Sequence, residues 1–122
     1  MPVDYKDLLV WQKSIDLVAF VYDATRHFPA DERFGLTNQL RRAAVSVPSN
    51  IAEGQGRKTN SGFIQFLRIA NGSRQEVETQ LIIAQKLNFI SPDVVADLSD
   101  RLAEIGRLLS GLINSLTTAE SL

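Results

Sequence analysis

Residues 94–116 read VVADLSDRLAEIGRLLSGLINSL, and within that run Val94, Leu98, Leu102, Ile105, Leu109, Leu112 and Leu116 recur at every third or fourth position. That spacing lays a nearly unbroken apolar seam along one side of a helix. Ser91 stands where a hydroxyl can accept from free backbone amides, and Pro92 follows at a first helical position, where its missing N–H costs nothing. Working outward, turn residues interrupt the chain at 27–31 (HFPAD), 54–56 (GQG) and 88–93 (NFISPD), which leaves four segments. From about Asp7 to Arg26, Leu8, Trp11, Ile15, Val18, Ala19 and Tyr22 fall on one helical side. From about Leu36 to Glu53 the stripe is Leu36, Leu40, Ala43, Ala44, Val47 and Ile51. From about Ser61 to Leu87, behind Thr59 as a second candidate cap, it is Phe63, Phe66, Leu67, Ala70, Val77, Leu81 and Ala84. No segment alternates as a half-buried strand would, and short connections place consecutive helices antiparallel. The expected fold is all-α, an up-and-down four-helix bundle over residues 1–122. Pro48 lies inside the second segment and leaves the Ala44 carbonyl without its usual donor, so a kink or break is expected near residues 44–48.

The 122 residues suit one domain, and 44% hydrophobic content with a net charge of −1 describes an ordinary globule. With no cysteine, structural disulfides and thiol chemistry are excluded. The chain opens on acids where a secretory leader would be basic and then apolar, and its longest apolar run is far below the ~20 residues that span a bilayer. A cytoplasmic protein without membrane association is expected.

Two features exceed what a plain bundle requires. In the first helix Val10, Leu17, Val21 and Ala24 lie roughly opposite the stripe named above, at heptad-like spacings. A second apolar seam is expected to mark self-association, unless the tail or a kinked second helix covers it. In the second helix the side away from the core carries Gln39, Arg42, Ser46, Ser49, Asn50 and Glu53, with Arg57 past the turn. Solvated faces favour Lys and Glu, which are better helix formers than Ser or Asn. Small neutral polar groups instead suit a close helix contact, with Ser73 and Glu76 of the third helix as candidate partners.

Charge is unevenly placed. Residues 26–74 carry a net +5, flanked by −2 before and −4 after. The cations of that block are Arg26, Arg33, Arg41, Arg42, Arg57, Lys58, Arg68 and Arg74. Guanidinium forks suit phosphate and carboxylate contacts, so the block can serve nucleic acid or can pair with acids such as Asp97, Asp100 and Glu104.

Catalytic chemistry finds no footing. The turn 54–59 (GQGRKT) follows a helix rather than a strand and lacks the spacing of a phosphate loop. His27 is the sole histidine, so neither a di-iron Glu-x-x-His set nor a histidine-rich zinc site can be assembled. It fits the end of the first helix, where positive charge is favourable. Glu53, Glu76 and Glu78 lack a second catalytic element, and Asn71-Gly72-Ser73 is a chance glycosylation match inside a helix. No cofactor, metal or catalytic residue is expected.

The stretches 9–13 (LVWQK), 34–54 (FGLTNQLRRAAVSVPSNIAEG), 56–57 (GR) and 70–76 (ANGSRQE) resemble the bacterial four-helix-bundle family called 23S rRNA intervening sequence proteins. The likeness covers nearly the whole chain, although the fourth helix matches only in pattern. Members assemble as homopentamers, and some are encoded within insertions in large ribosomal RNA genes. A similar bundle, the accessory variability protein of diversity-generating retroelements, forms a basic pentameric barrel that engages a reverse transcriptase and nucleic acid. The resemblance implies a polar network of Ser46, Asn50, Glu53, Arg57, Ser73 and Glu76. It places Arg41 and Arg42 on the assembly's inner or nucleic-acid-facing surface. The net charge of −1 departs from the basic total of a strong nucleic-acid binder. The expectation is a non-enzymatic homo-oligomer associated with RNA or a ribonucleoprotein, with phosphate contacts at Arg41, Arg42, Arg57, Lys58, Arg68 and Arg74. A protein–protein adaptor without nucleic acid is the alternative.

Overall fold

The computed structural model describes residues 4–121, with side chains through Ala119; Met1–Val3 and Leu122 lie outside the described residues. Four α-helices, α1 (Leu9–Thr25), α2 (Leu36–Gln55), α3 (Asn60–Lys86) and α4 (Pro92–Ser121), follow a single 3-10 turn at Tyr5–Asp7. A second such turn, Ala30–Glu32, links α1 to α2. Each helix packs on its neighbours in sequence, and α4 returns to α1. The result is the expected all-α four-helix bundle.

Local chemistry sets the helix ends. Thr59 Oγ1 accepts from the Gly62 amide at 3.1 Å and opens α3, while Ser91 Oγ accepts from the Val94 amide at 3.3 Å ahead of Pro92. At the end of α3 the Phe89 amide reaches back to the Ala84 carbonyl and the Asn88 amide to Gln85, with Asn88 at φ 62°. This is a Schellman stop in which Asn takes the left-handed position that glycine usually fills. Phe89 then tilts against Phe28 with ring centroids 5.7 Å apart, so the stop also packs the bundle's end.

Leu17, Val21, Leu40, Val47, Ile51, Leu67, Val77, Leu81, Leu102 and Leu109 are among the fully buried side chains. Each contributes roughly 1.5–3 kcal/mol relative to exposure. The stripes expected for α2 and α3 face this core. In α4 the seam starts one residue later than expected, at buried Val95 rather than exposed Val94, and runs through Leu98, Leu102, Ile105 and Leu109. The helix α2 continues unbroken from Leu36 to Gln55, with buried Pro48 inside it, so no break occurs there.

The buried side of α1 is rotated relative to the sequence reading, which is right for Leu8, Trp11 and Val18 and wrong for Ile15, Ala19 and Tyr22. Val10, Leu17 and Val21 belong to the chain's own core, and Ala24 packs against it, so these four residues are not an oligomer interface. Of the other stripe, Leu8, Trp11 and Val18 also pack against the core, and Ile15, Ala19 and Tyr22 turn outward, Ile15 at 42% and Tyr22 at 38% exposure. The reason lies in Ser14 and Thr25. Both are buried, and each hydroxyl donates to a carbonyl four residues back, Ser14 to Val10 at 2.7 Å and Thr25 to Val21 at 2.8 Å. A side chain whose hydrogen bond closes within its own helix can sit among apolar groups. The core edge therefore contains hydroxyls and looks the more polar of the two.

Candidate functional site

The last turn of α1 and the first half of α2 enclose a groove of about 790 Å3. Its floor is set by Arg41. The Thr25 hydroxyl, already donating to Val21, accepts from Arg41 Nε at 2.8 Å, and the guanidinium lies 4.4 Å from the centre of the Tyr22 ring. A cation fits there because the final carbonyls of α1 carry partial negative charge; Tyr22 O lies 3.5 Å from Arg41 Nη2. Arg42, the next residue on α2, is exposed and lines the same groove. The rim comes from the loop ahead of α2, where Arg33 holds its guanidinium 5.2 Å from the centre of the Phe34 ring. Phe34 is 86% exposed. Its position is fixed by the turn that follows, since Glu32 Oε1 accepts from the Leu36 amide at 3.2 Å and caps α2. Thr37, Asn38, Val45 and Ser46 complete the walls, so three guanidinium groups line the groove and no carboxylate does.

A polar cleft of about 480 Å3 adjoins it between α2 and α3, sharing Asn38, Arg42 and Ser46 with the groove. Across it Ser46 and Ser73 share a hydrogen bond of 2.8 Å, and Asn50 Nδ2 donates to both the carbonyl and the hydroxyl of Ser46 at 2.8 Å. Glu76 lines the cleft, as does Gln80, whose Oε1 is buried without a hydrogen-bond partner. Glu53 stands apart and pairs with Arg57 at 3.0 Å on the surface, where such bridges stabilise by about 0–1 kcal/mol.

The remaining candidate phosphate contacts do not join Arg41 and Arg42. Arg57 stacks on Phe66, 4.6 Å from its ring centre, and Lys58 is exposed beside it. Fifteen residues of mostly helical rise, about 22 Å, separate them from Arg42. Arg68 is exposed on α3 near Asn71 and Ser110. Arg74 ties α3 to α4, donating to Asn71 Oδ1 at 2.8 Å and to the Leu102 carbonyl at 3.4 Å. Its guanidinium occupies the space beside Gly106, where a Cβ would lie 2.8 Å from Cζ.

A family model described as 23S rRNA-intervening sequence protein matches residues 6–111, which contain the groove and the cleft. The chain belongs to that family. Among solved structures it is similar to a protein with unknown function from the S23 ribosomal protein family of Bacteroides thetaiotaomicron VPI-5482. That match has 23% identity and a TM-score of 0.77, covering 86% of this chain and 98% of the other. This likeness shows the shared fold. No curated protein matches the chain. Within this 23S rRNA-intervening sequence family member, the groove adds Phe34 and Tyr22, which the sequence reading leaves out, and Arg33, which that reading places in the basic block but not among the phosphate contacts. Phe34 did carry a signal, being a large aromatic beside a glycine and outside every helical stripe. Tyr22 belongs by its spacing to the stripe expected to face the core, and is one of the members of that stripe that turn outward. Among the described residues no helix is long and apolar enough to cross a membrane, and no three metal-binding side chains converge.

Proposed function

We propose that this family member is a non-catalytic, cytoplasmic, self-associating scaffold that binds RNA or a ribonucleoprotein through the groove between α1 and α2. The carrying observation is its wall composition, Arg33, Arg41 and Arg42 with no carboxylate among them. Guanidinium groups attract phosphate, and Arg41 is already oriented by Thr25 and Tyr22, which lowers the ordering cost of contact. The family's description, which refers to ribosomal RNA, supports the same reading. Because the whole chain carries −1, attraction must come from this local surface and involve few phosphates. Self-association rests on other residues, the outward edge of α1 around Ile15 and Ala19, both exposed.

The test is anisotropy of a labelled RNA titrated with the protein over a salt series. Three phosphate contacts on a single strand predict that the logarithm of the binding constant falls with the logarithm of salt at a slope of about −2. Replacing Arg33 and Arg42 by Gln should bring that slope below −1 in magnitude. An absence of binding at low salt would leave the adaptor reading, in which the outward α1 edge meets another protein.

A further inference from the structure

Within the RNA-binding reading proposed above, we infer that the groove selects unpaired nucleotides, with Phe34 as a stacking platform for a base and Arg33 and Arg42 as contacts to the flanking phosphates. The inference rests on that reading and adds the state of the nucleic acid.

Three observations carry it. Phe34 is the most exposed of the large apolar side chains, at 86%, yet the capped turn at Glu32–Leu36 holds its backbone in place. A ring presented to water on a fixed backbone is preorganised for a flat apolar partner. Both aromatic rings at the groove have guanidinium companions, Arg33 at Phe34 and Arg41 at Tyr22, so cation and π-face are offered together. The groove lining is basic without a carboxylate, and the nearby Glu32 carboxylate is engaged by the Leu36 amide, which favours an anionic occupant over an apolar peptide. A chain with anionic links and flat bases matches all three, since every base has a π-face and each link a phosphate. An A-form duplex does not, because its bases are stacked on one another and it presents backbone and 2′-hydroxyls instead. Phe34 would have nothing to stack on.

The experiment compares two fluorescein-labelled probes, a short unstructured oligoadenylate and a blunt RNA duplex of the same length. Each is titrated with the full chain, with Phe34→Ala and with Phe34→Tyr. Circular dichroism and sedimentation of each variant accompany the titrations. The expected result is that Phe34→Ala weakens the single strand about tenfold and the duplex less than twofold, while Phe34→Tyr restores single-strand binding. Equal loss on both probes, or no loss on either, overturns the stacking role while leaving RNA binding in place. A fall in assembly mass with Phe34→Ala also overturns it, and identifies the occupant as a second copy of the chain. Failure of both probes to bind the parent protein overturns the RNA reading itself.

Discussion

At Gly54 an added Cβ would stand 2.7 Å from the Phe66 Cβ, 3.0 Å from Phe63 Cδ1 and 3.2 Å from the Phe63 carbonyl. Two of these neighbours are held close to the backbone of α3 and cannot swing away. Gly54→Ala is therefore expected to destabilise the bundle by about 1–3 kcal/mol, a fall in melting temperature on the order of 4–12 °C. Gly111 has nothing within 4 Å of an added Cβ, and Gly111→Ala should raise stability by about 0.5–1 kcal/mol through helix propensity alone. Thermal melts of the two variants side by side check both signs. The role of Gly54 was not legible in the sequence, which reads it as a turn residue ending the second segment, whereas it lies inside α2 where only the approach of α3 makes a side chain costly. Asn88 was closer to legible. It sits in a stretch rich in turn residues, and asparagine tolerates the left-handed conformation that the Schellman stop requires. Thr25 was not legible at all, since its accepting role toward Arg41 depends on a residue sixteen positions away.

At the scale of the helix, α1 shows how far apolar periodicity reaches. Two stripes of comparable apolar content run along it, and the period locates both without ranking them. What ranks them is Ser14 and Thr25, whose internal hydrogen bonds let hydroxyls occupy the core edge. The assignment has a direct consequence for mutagenesis. Leu17 is fully buried, so Leu17→Ala should cost about 2–5 kcal/mol and Leu17→Glu should abolish folding, read as loss of helical ellipticity. Ile15→Glu, on the outward edge, should keep the helical signal and change stability by less than about 1 kcal/mol. The reverse pattern would mean that Ile15, not Leu17, faces the core. By contrast, the apolar stripe of α2 from Leu36 to Ile51 was legible because its opposite side is mostly polar, from Gln39 to Glu53, with Val45 as an exposed exception. The same contrast exposed Ser46 and Asn50 as unusual surface residues. Their partner Ser73 follows once α3 is placed next to α2. Glu53 did not follow, since its nearest cation, four residues on, lies on its own helix side past the turn.

The whole molecule combines segregated charge with several apolar exposures, two of which lie away from the groove on different helices. The block at 26–74 is basic and the remainder after it acidic. One exposure is the outward α1 edge at Ile15, beside exposed Ala19; the other lies where α3 gives way to α4, at Ile82, Ile83, Leu87 and Val94. A two-fold dimer needs one self-complementary patch, whereas a closed ring of more than two copies needs two different patches that meet head to tail. The proposed self-association is better matched by the second arrangement, because the two exposures differ and cations of the 26–74 block outside the groove can then face acids on the next copy. This makes a prediction that a simple mass measurement does not. Ile15→Glu alone and Ile83→Glu alone should each reduce the parent assembly to small species. Mixed in equal amounts, the two variants retain one intact patch each, and should form a heterodimer that grows no further. Sedimentation velocity on the mixture reads the outcome, and added salt should weaken the heterodimer, since exposed pairs are screened over about 10 Å at 0.1 M. If the mixture stays monomeric, the two exposures do not meet. If either variant keeps the parent's mass, its patch lies outside the interface, and the outward edge of α1 is left for a different partner.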